Sequence, residues 1–137
     1  MFNIILMSHG NLAKELYNSS CMILGNFNQC NYVCMHESEG ADMIFKRLEK
    51  FIIESDGRAL VICDLKGGTP FNVAMMCQKK YPLIKVVTGL NLPMVLESAM
   101  MTSDLSDKKA SQIVEVGQKS IQLVSILNQI DDSEENE

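Results

Sequence analysis

Two side chains in the sequence, His9 and Asp64, are of the types that phosphoryl transfer through an imidazole requires. Each ends a short, largely apolar segment. Histidine can form covalent intermediates as a nucleophile. A carboxylate that accepts a hydrogen bond from one ring nitrogen leaves the lone pair of the other available. In the usual arrangement Asp64 accepts from Nδ1–H and Nε2 attacks, and the sequence leaves the tautomer open.

A glycine-rich segment follows the aspartate, with Gly67 and Gly68 adjacent. The Thr69-Pro70 pair after them predicts a helix start, with threonine as the N-cap and proline as the first helical residue. Adjacent glycines let backbone N–H groups approach an anion, and a helix N-terminus favours phosphate. Together with Gly10, these two glycines and Thr69 form the predicted phosphoryl-binding site. The segment is not a Walker loop, because no Gly-Lys-Ser/Thr run follows.

The elements that must position these residues alternate between strand and helix. This alternation is typical of a doubly wound, mostly parallel four-stranded α/β sheet with helices on both faces. Because parallel strands end at one edge, His9 and Asp64 can come within hydrogen-bonding reach. Periodicity does not decide between helix and strand for residues 121–130. The predicted strands are 3–7, 31–36, 58–64 and 83–88, and the predicted helices are 12–24, 41–54, 69–80, 93–101 and one from 107.

Each feature taken alone has an ordinary structural explanation. A lone histidine after a strand is more often a satisfied turn residue, and an aspartate there can simply cap a turn. A phosphatase of the histidine type would use the same nucleophile, but it needs arginines and a second histidine around the phosphate. Arg47 and Arg58 are predicted to lie away from the site edge, and His36 ends a different strand. The residues therefore favour relay of the phosphoryl group over hydrolysis.

Length and charge limit the class of protein. The 137 residues are predicted to form one domain over residues 1–130, followed by a disordered tail at 131–137. Five of the tail's seven residues are acidic and account for the net charge of −5, which leaves 12 acidic and 12 basic residues elsewhere. No basic face suited to nucleic-acid phosphates stands out. No apolar stretch approaches the roughly 20 residues of a membrane span.

The five cysteines do not have the spacing of a metal site. Cys30 and Cys34 are four residues apart, and no second pair matches them. The number is odd, and the start of the chain lacks the pattern of a secretory leader. We therefore expect reduced, mostly buried thiols in a cytoplasmic protein. Neither a metal nor a cofactor is predicted.

Three motifs resemble those of one protein family. They are Ser8-His9-Gly10, Asp64 followed by Gly67-Gly68-Thr69-Pro70-Phe71-Asn72, and Thr88-Gly89-Leu90-Asn91-Leu92-Pro93-Met94. With these motifs the chain resembles the mannose-family enzyme IIA component of the bacterial phosphoenolpyruvate-dependent sugar phosphotransferase system. The resemblance extends over about residues 1–127.

The resemblance implies a phosphocarrier. His9 would receive a phosphoryl group from the phosphohistidine carrier protein HPr and pass it to a histidine of enzyme IIB, a separate chain. Membrane components would then phosphorylate a sugar during uptake. Asp64 would orient His9, and Thr69 with its neighbouring glycines would line the phosphoryl pocket. The resemblance also implies a homodimer that exchanges a last, antiparallel strand near residues 120–126.

The two residues after the aspartate depart from the family pattern. Family members often carry threonine or another small or aromatic residue where this chain has Leu65 and Lys66. Leu65 would add an apolar contact at the docking rim. Lys66 would offer a charge to a partner or to phosphate, or else be a solvated loop lysine. Phe71 and Met94 are further candidates for partner docking, and both are equally consistent with the core.

Two other interpretations stay open. The phosphotransfer subunit of dihydroxyacetone kinase resembles the same fold and also opens on a strand followed by Ser-His, but it lacks the glycine-glycine-Thr-Pro-Phe-Asn loop. A regulatory module similar to enzyme IIA, read by a transcription factor, could carry the same residues around His9. Partner data would separate these interpretations.

Overall fold

The structure is a computed structural model that describes residues 2–101 and 104–126. Every strand and helix predicted from periodicity is present in that part of the chain, and most bounds lie within two residues of those predicted. The elements are β1 (Asn3–His9), α1 (Leu12–Leu24), β2 (Cys30–Met35), α2 (Ala41–Glu54), β3 (Ala59–Cys63), α3 (Thr69–Lys80), β4 (Lys85–Thr88), α4 (Leu92–Met100) and α5 (Asp107–Lys119).

The described strands form one parallel sheet in the order β2-β1-β3-β4. This order confirms the predicted α/β fold with a doubly wound sheet. The chain passes from β1 to β2 on one side and then to β3 on the other, so the winding reverses between β1 and β3. Ligands of open α/β sheets bind outside the carboxyl ends of the strands at such a reversal. His9 ends β1 and Asp64 follows β3, so both lie at this position.

Helices cover both faces of the sheet. Ile4 and Leu6 pack on one face with residues of α1, α4 and α5, whereas Ile5 and Met7 pack on the other with α2 and α3. All four side chains are fully buried. A parallel strand covered on both faces requires this continuous apolar sequence. The site histidine therefore ends a strand whose preceding residues, from Ile4 to Ser8, are all buried.

Two local predictions are corrected by the structure. β1 continues to His9, two residues beyond its predicted end, because its last residue still pairs with Met35 of β2. The N-cap of α3 is Gly68, whose backbone is extended with φ −80° and ψ 171°. Thr69 is therefore the first helical residue and not the predicted N-cap, and α3 begins without a side-chain cap.

The last part of the chain is described only to residue 126. Residues 121–125 carry no regular secondary structure, so the antiparallel strand predicted near 120–126 does not form within this single chain. A strand needs the edge of another strand, and the exchange between two copies stays a prediction. The predicted acidic tail at 131–137 lies outside the described residues. Within residues 2–101 and 104–126, no helix is long and apolar enough to cross a membrane.

Candidate active site

His9 and Asp64 are in direct contact where the winding of the sheet reverses. His9 Nδ1 lies 2.9 Å from Asp64 Oδ2, and the backbone N–H of His9 donates to the same oxygen at 3.0 Å. An ionised carboxylate oxygen only accepts hydrogen bonds, so Nδ1 carries the proton and the neutral ring has its lone pair on Nε2. The geometry thus selects the tautomer that the sequence leaves open.

Asp64 is more enclosed than the histidine it contacts. Its backbone N–H donates to Met7 O at 3.0 Å, which continues the pairing of β1 with β3 by one residue. The Asp64 side chain is 13% exposed, whereas the His9 side chain is 45% exposed. Asp64 Oδ1 is buried and accepts no hydrogen bond from the described residues. The carboxylate is thus fixed in the fold while the ring stays accessible.

Gly68 lies directly against the imidazole. A Cβ atom on this residue would lie 2.7 Å from His9 Cε1 and 3.3 Å from Nε2. Carbon atoms in contact are normally about 3.5–4.0 Å apart, so any side chain here would displace the ring. Gly67 has a different role, because its φ is +90° and nothing lies near its Cβ position. Gly67 thus allows the backbone to turn, and Gly68 leaves space for the His9 ring.

The turn after the histidine brings a second helix N-terminus to the site. Gly10 has φ +58°, and its N–H donates to Met35 O at 2.8 Å. α1 begins just beyond this turn, and its N-cap residue, Asn11, makes no side-chain cap bond. α3 likewise begins at Gly68 without a side-chain cap. α3 thus begins against the imidazole at Gly68, and α1 begins three residues after His9. Neither helix receives a hydrogen bond from a side chain of its own N-cap residue.

Ser8 is a site residue for which the sequence suggested no separate role. It is fully buried, and its hydroxyl donates to Gly10 O at 3.1 Å and accepts from Ala13 N–H at 2.8 Å. The sequence feature that could have indicated this role is a serine at the end of an apolar strand, directly before the histidine and the glycine turn. Serine in such a position can bond to nearby backbone groups and cap a helix.

The predicted docking residues fall into two groups. Leu65 is 61% exposed and Lys66 is also exposed, in the loop between β3 and α3. Phe71 is half-buried and packs against the core cluster that contains α2 and α3. Met94 is 2% exposed, and it packs so closely on Gly117 of α5 that a Cβ there would lie 2.6 Å from Met94 Cγ. Met94 is a core residue, and its prediction as a docking residue is wrong.

The two arginines are engaged in contacts of their own. Arg47 donates to Cys34 O at 3.2 Å and pairs with both carboxylate oxygens of Glu39. The hydrogen bonds from Arg47 lower the pKa of Glu39, which favours the charged pair. Arg58 precedes β3, and its carbonyl accepts from Asn3 N–H at the amino end of the sheet, opposite the site. The prediction that both arginines lie away from the site edge holds for Arg58 and is wrong for Arg47, because Cys34 pairs with Ser8 near the carboxyl end of β2. The Arg47 guanidinium is nevertheless bonded to Glu39 and Cys34, whereas a histidine phosphatase needs such a group on its phosphate.

The thiols near the site are not competing nucleophiles. Cys63 directly precedes Asp64, and burial together with the charge of that carboxylate raises the pKa of its thiol to about 12. The thiolate is the reactive form of cysteine, so Cys63 is inert at neutral pH. Four of the five cysteines are buried, which confirms the expectation of mostly buried thiols. Within the described part of the chain, no group of three or more side chains could hold a metal ion.

Comparisons with known proteins agree on one family. Residues 3–116 match the family model described as "PTS system fructose IIA component". The chain is 35% identical over 98 residues to the PTS system sorbose-specific EIIA component of Klebsiella pneumoniae, over 71% of this chain and 72% of that protein. It is 27% identical over 128 residues to the PTS system fructose-specific EIIA component of Bacillus subtilis, over 91% and 88% of the two.

A solved structure has the same architecture. The mannose/sorbose specific IIA subunit from Enterococcus faecalis matches with a TM-score of 0.86 and 36% identity, over 91% of this chain and 96% of that chain. The region matched by the family model contains His9, Asp64 and the glycine-rich segment between β3 and α3. The chain therefore belongs to the mannose-type enzyme IIA family, the phosphotransferase components of the bacterial sugar phosphotransferase system.

Proposed function

We propose that the chain is a phosphocarrier that accepts a phosphoryl group on His9 from phospho-HPr and passes it to a histidine of enzyme IIB. It acts in the cytoplasm, as one step in the uptake and phosphorylation of a sugar. One observation supports this proposal most strongly. His9 Nδ1 lies 2.9 Å from Asp64 Oδ2, which leaves Nε2 as the nucleophile of a ring that is 45% exposed.

The proposed transfer exchanges one nitrogen–phosphorus bond for another. The lone pair of His9 Nε2 attacks phosphorus, the bond to the histidine of HPr breaks, and its electron pair stays on that imidazole. The His9 ring gains positive charge as the new bond forms. The Asp64 carboxylate, which accepts the Nδ1–H bond, offsets that charge. Attack by a histidine of enzyme IIB then returns the electron pair to Nε2.

Gly10, Gly67, Gly68 and Thr69 are the proposed phosphoryl-binding residues. Gly68 lies against the ring at the start of α3, next to Gly67 and Thr69. Gly10 N–H donates to Met35 O, so the proposed part of Gly10 is to form the turn that brings the start of α1 to the ring. Each charge-assisted hydrogen bond would contribute about 1.5–3 kcal/mol. Excess stabilisation of about 1.4 kcal/mol costs tenfold in onward transfer. Neutral backbone donors therefore suit a carrier better than an arginine beside the phosphoryl group.

Both protein partners are proposed to dock on the surface around His9. Leu65 supplies an exposed apolar side chain there and Lys66 an exposed charge. Phe71, at the start of α3, is a further candidate. HPr and enzyme IIB must each bring a histidine to the same Nε2, so they bind in turn.

A homodimer with exchanged C-terminal segments is the proposed assembly of the domain at residues 1–130. Among the described residues β4 pairs only with β3, which leaves the outer edge of β4 without a strand. A groove of about 480 Å³ beside that edge is lined by residues 86–89 and by Ile121. Ile121 and Ile126 are 79% and 77% exposed. A second copy that pairs with β4 would cover both the edge and these side chains.

Intact-mass measurement after incubation with phosphoenolpyruvate, enzyme I and HPr tests the proposed function. We expect wild type to gain one acid-labile phosphoryl group and His9→Ala to gain none. His36→Ala, which removes the chain's other histidine, is the matched control and should be labelled normally. Addition of enzyme IIB should then remove the label. An unlabelled wild type would contradict the proposal, and loss of the label to water alone would indicate a phosphatase.

The same assay tests the role of Asp64. Asp64→Asn removes the charge that the ring contacts, so transfer should slow by about thirtyfold, which corresponds to about 2 kcal/mol for one charge-assisted hydrogen bond. Asp107→Asn is the control, because Asp107 is an exposed carboxylate on α5 that pairs with Lys85. An unchanged rate in Asp64→Asn would remove this residue from the mechanism.

A further inference from the structure

Three serines in the described part of the chain are fully buried, and one of them differs from the other two. Ser20 donates to Leu16 O and Ser98 to Met94 O, each within its own helix and each at 2.7 Å. Ser8 instead lies on β1 and bonds to the turn and the helix that follow. Its hydroxyl therefore connects separate elements at the candidate site.

The Ser8 hydroxyl holds both ends of the turn that follows His9. It donates to Gly10 O at 3.1 Å and accepts from Ala13 N–H at 2.8 Å. Ala13 is the second residue of α1, so Ser8 caps a helix whose own N-cap residue, Asn11, makes no side-chain bond. The cap comes from the buried strand and not from the surface of the turn.

The same turn is anchored to the strands on either side of β1. Gly10 N–H donates to Met35 O of β2, and His9 N–H donates to Asp64 Oδ2 beyond β3. Ser8 supplies the third anchor, from beneath. Without its hydroxyl, Gly10 O and Ala13 N–H would lose the partner that ties the turn to α1.

We infer that Ser8 is a positioning residue for phosphoryl transfer. It fixes the turn between β1 and α1, so that the backbone N–H groups at the start of α1 meet the phosphoryl group carried on His9 Nε2. This inference rests on the proposed function, in which His9 is phosphorylated. Ser8 itself does not touch the reacting atoms in this role.

The three buried serines provide a matched test. Ser8→Ala, Ser20→Ala and Ser98→Ala each remove one hydroxyl from a fully buried site. Single-turnover transfer from phospho-HPr should give a saturating rate about tenfold lower for Ser8→Ala, with an unchanged half-saturating concentration of donor. Ser20→Ala and Ser98→Ala should stay within about twofold of wild type, since they lose comparable stability but no anchor of the turn.

Two further variants make the outcome decisive. Ser8→Thr keeps the hydroxyl and should transfer within about threefold of wild type. Ser8→Cys keeps a side chain of similar size that forms weaker hydrogen bonds. If Ser8→Ala does not fold, Ser8→Cys must show the lower transfer rate instead. In phosphorylated wild type the amide NMR signals of Gly10 and Asn11 should shift, and the shifts should shrink in the slowed variant.

Three results would overturn the inference. They are a wild-type rate in folded Ser8→Ala, a wild-type rate in Ser8→Cys, and an equal loss in the Ser98→Ala control. A wild-type protein that accepts no phosphoryl group contradicts the proposed function, and the inference about Ser8 falls with it. A labelled wild type beside a fully active Ser8→Ala contradicts the inference about Ser8 alone.

Discussion

The helix N-termini beside His9 differ from those of the last two helices. α4 and α5 are each capped by their own N-cap side chain, Asn91 accepting from Met94 N–H and Ser106 from Lys109 N–H. α1 and α3 begin at the site with no bond from the N-cap side chain. Such a cap is worth about 0.5–2 kcal/mol. α3 forgoes that stabilisation where the proposed phosphoryl group would bind, whereas α1 receives a hydrogen bond from below, where Ala13 N–H donates to the buried Ser8 hydroxyl.

We attribute the difference to competition for the same N–H donors between a cap and the proposed phosphoryl group. An exposed cap side chain and a phosphoryl group would both accept hydrogen bonds from the first-turn N–H groups of a helix. α2 shows that a missing cap alone does not define a site. Its N-cap, Gly40, has an extended backbone like that of Gly68, but nothing lies within 4 Å of its Cβ position. Contact with His9 is what distinguishes Gly68.

Among variants that keep His9, the largest effect is expected from Gly68→Ala. The added Cβ would lie 2.7 Å from His9 Cε1 and must push the ring away from its place on Asp64. A displacement of about 1 Å can cost about a hundredfold in rate, so we expect a loss of that size in transfer from phospho-HPr. Gly40→Ala makes the same change at the other glycine N-cap and should transfer normally. Equal rates in the two variants would show that the glycine does not position the ring.

A smaller effect, with opposite signs in two measurements, is expected from Asn11→Asp. A carboxylate at the N-cap of α1 would accept from the first-turn N–H groups and repel the phosphoryl group. Urea denaturation should show a gain of up to about 1 kcal/mol in the free energy of unfolding. Transfer should slow by about fivefold. Asn18→Asp makes the same charge change in the middle of α1 and should leave the transfer rate unchanged. A normal transfer rate in Asn11→Asp would contradict competition between a cap and the phosphoryl group for the same N–H groups.

Ser106→Ala should affect stability alone. It removes the cap of α5, in which the Ser106 hydroxyl accepts from Lys109 N–H at 3.2 Å. We expect the free energy of unfolding to fall by about 1 kcal/mol in urea denaturation, with transfer unchanged. If the transfer rate fell as well, the caps of α4 and α5 would affect function too, and the contrast with α1 and α3 would not hold.

The contact between His9 and Asp64 could be predicted from the sequence. Both residues end predicted parallel strands, and such strands end at one edge of the sheet, so the sequence indicates that the two side chains can come within reach. That β1 and β3 are neighbours, which brings them into contact, is seen only in the structure. The role of Gly68 could not be predicted, because it depends on the position of a ring that is distant in sequence. Local preferences favoured Thr69 as the N-cap, but space for the imidazole requires the glycine.

The contacts of Ser8 and Met94, and the structure of residues 121–126, could not be predicted from the sequence either. The partners of the Ser8 hydroxyl depend on how the turn closes over β1, which residue types do not specify. A methionine such as Met94 suits either the core or a docking surface, so the residue type alone does not distinguish them. The close approach of Met94 to Gly117 identifies it as a core residue. Periodicity does not decide between helix and strand for residues 121–126, and a strand exchanged with a second copy stays a prediction there.

The nitrogen that carries the phosphoryl group is the most direct test of the central claim. Long-range ¹H–¹⁵N NMR of the His9 imidazole in the phosphorylated protein distinguishes the two ring nitrogens. The contact between Nδ1 and Asp64 Oδ2 predicts phosphorylation at Nε2, with Nδ1 still protonated and hydrogen-bonded. A phosphoryl group on Nδ1 would require that contact to break and would contradict the assignment of Asp64 as the residue that orients His9.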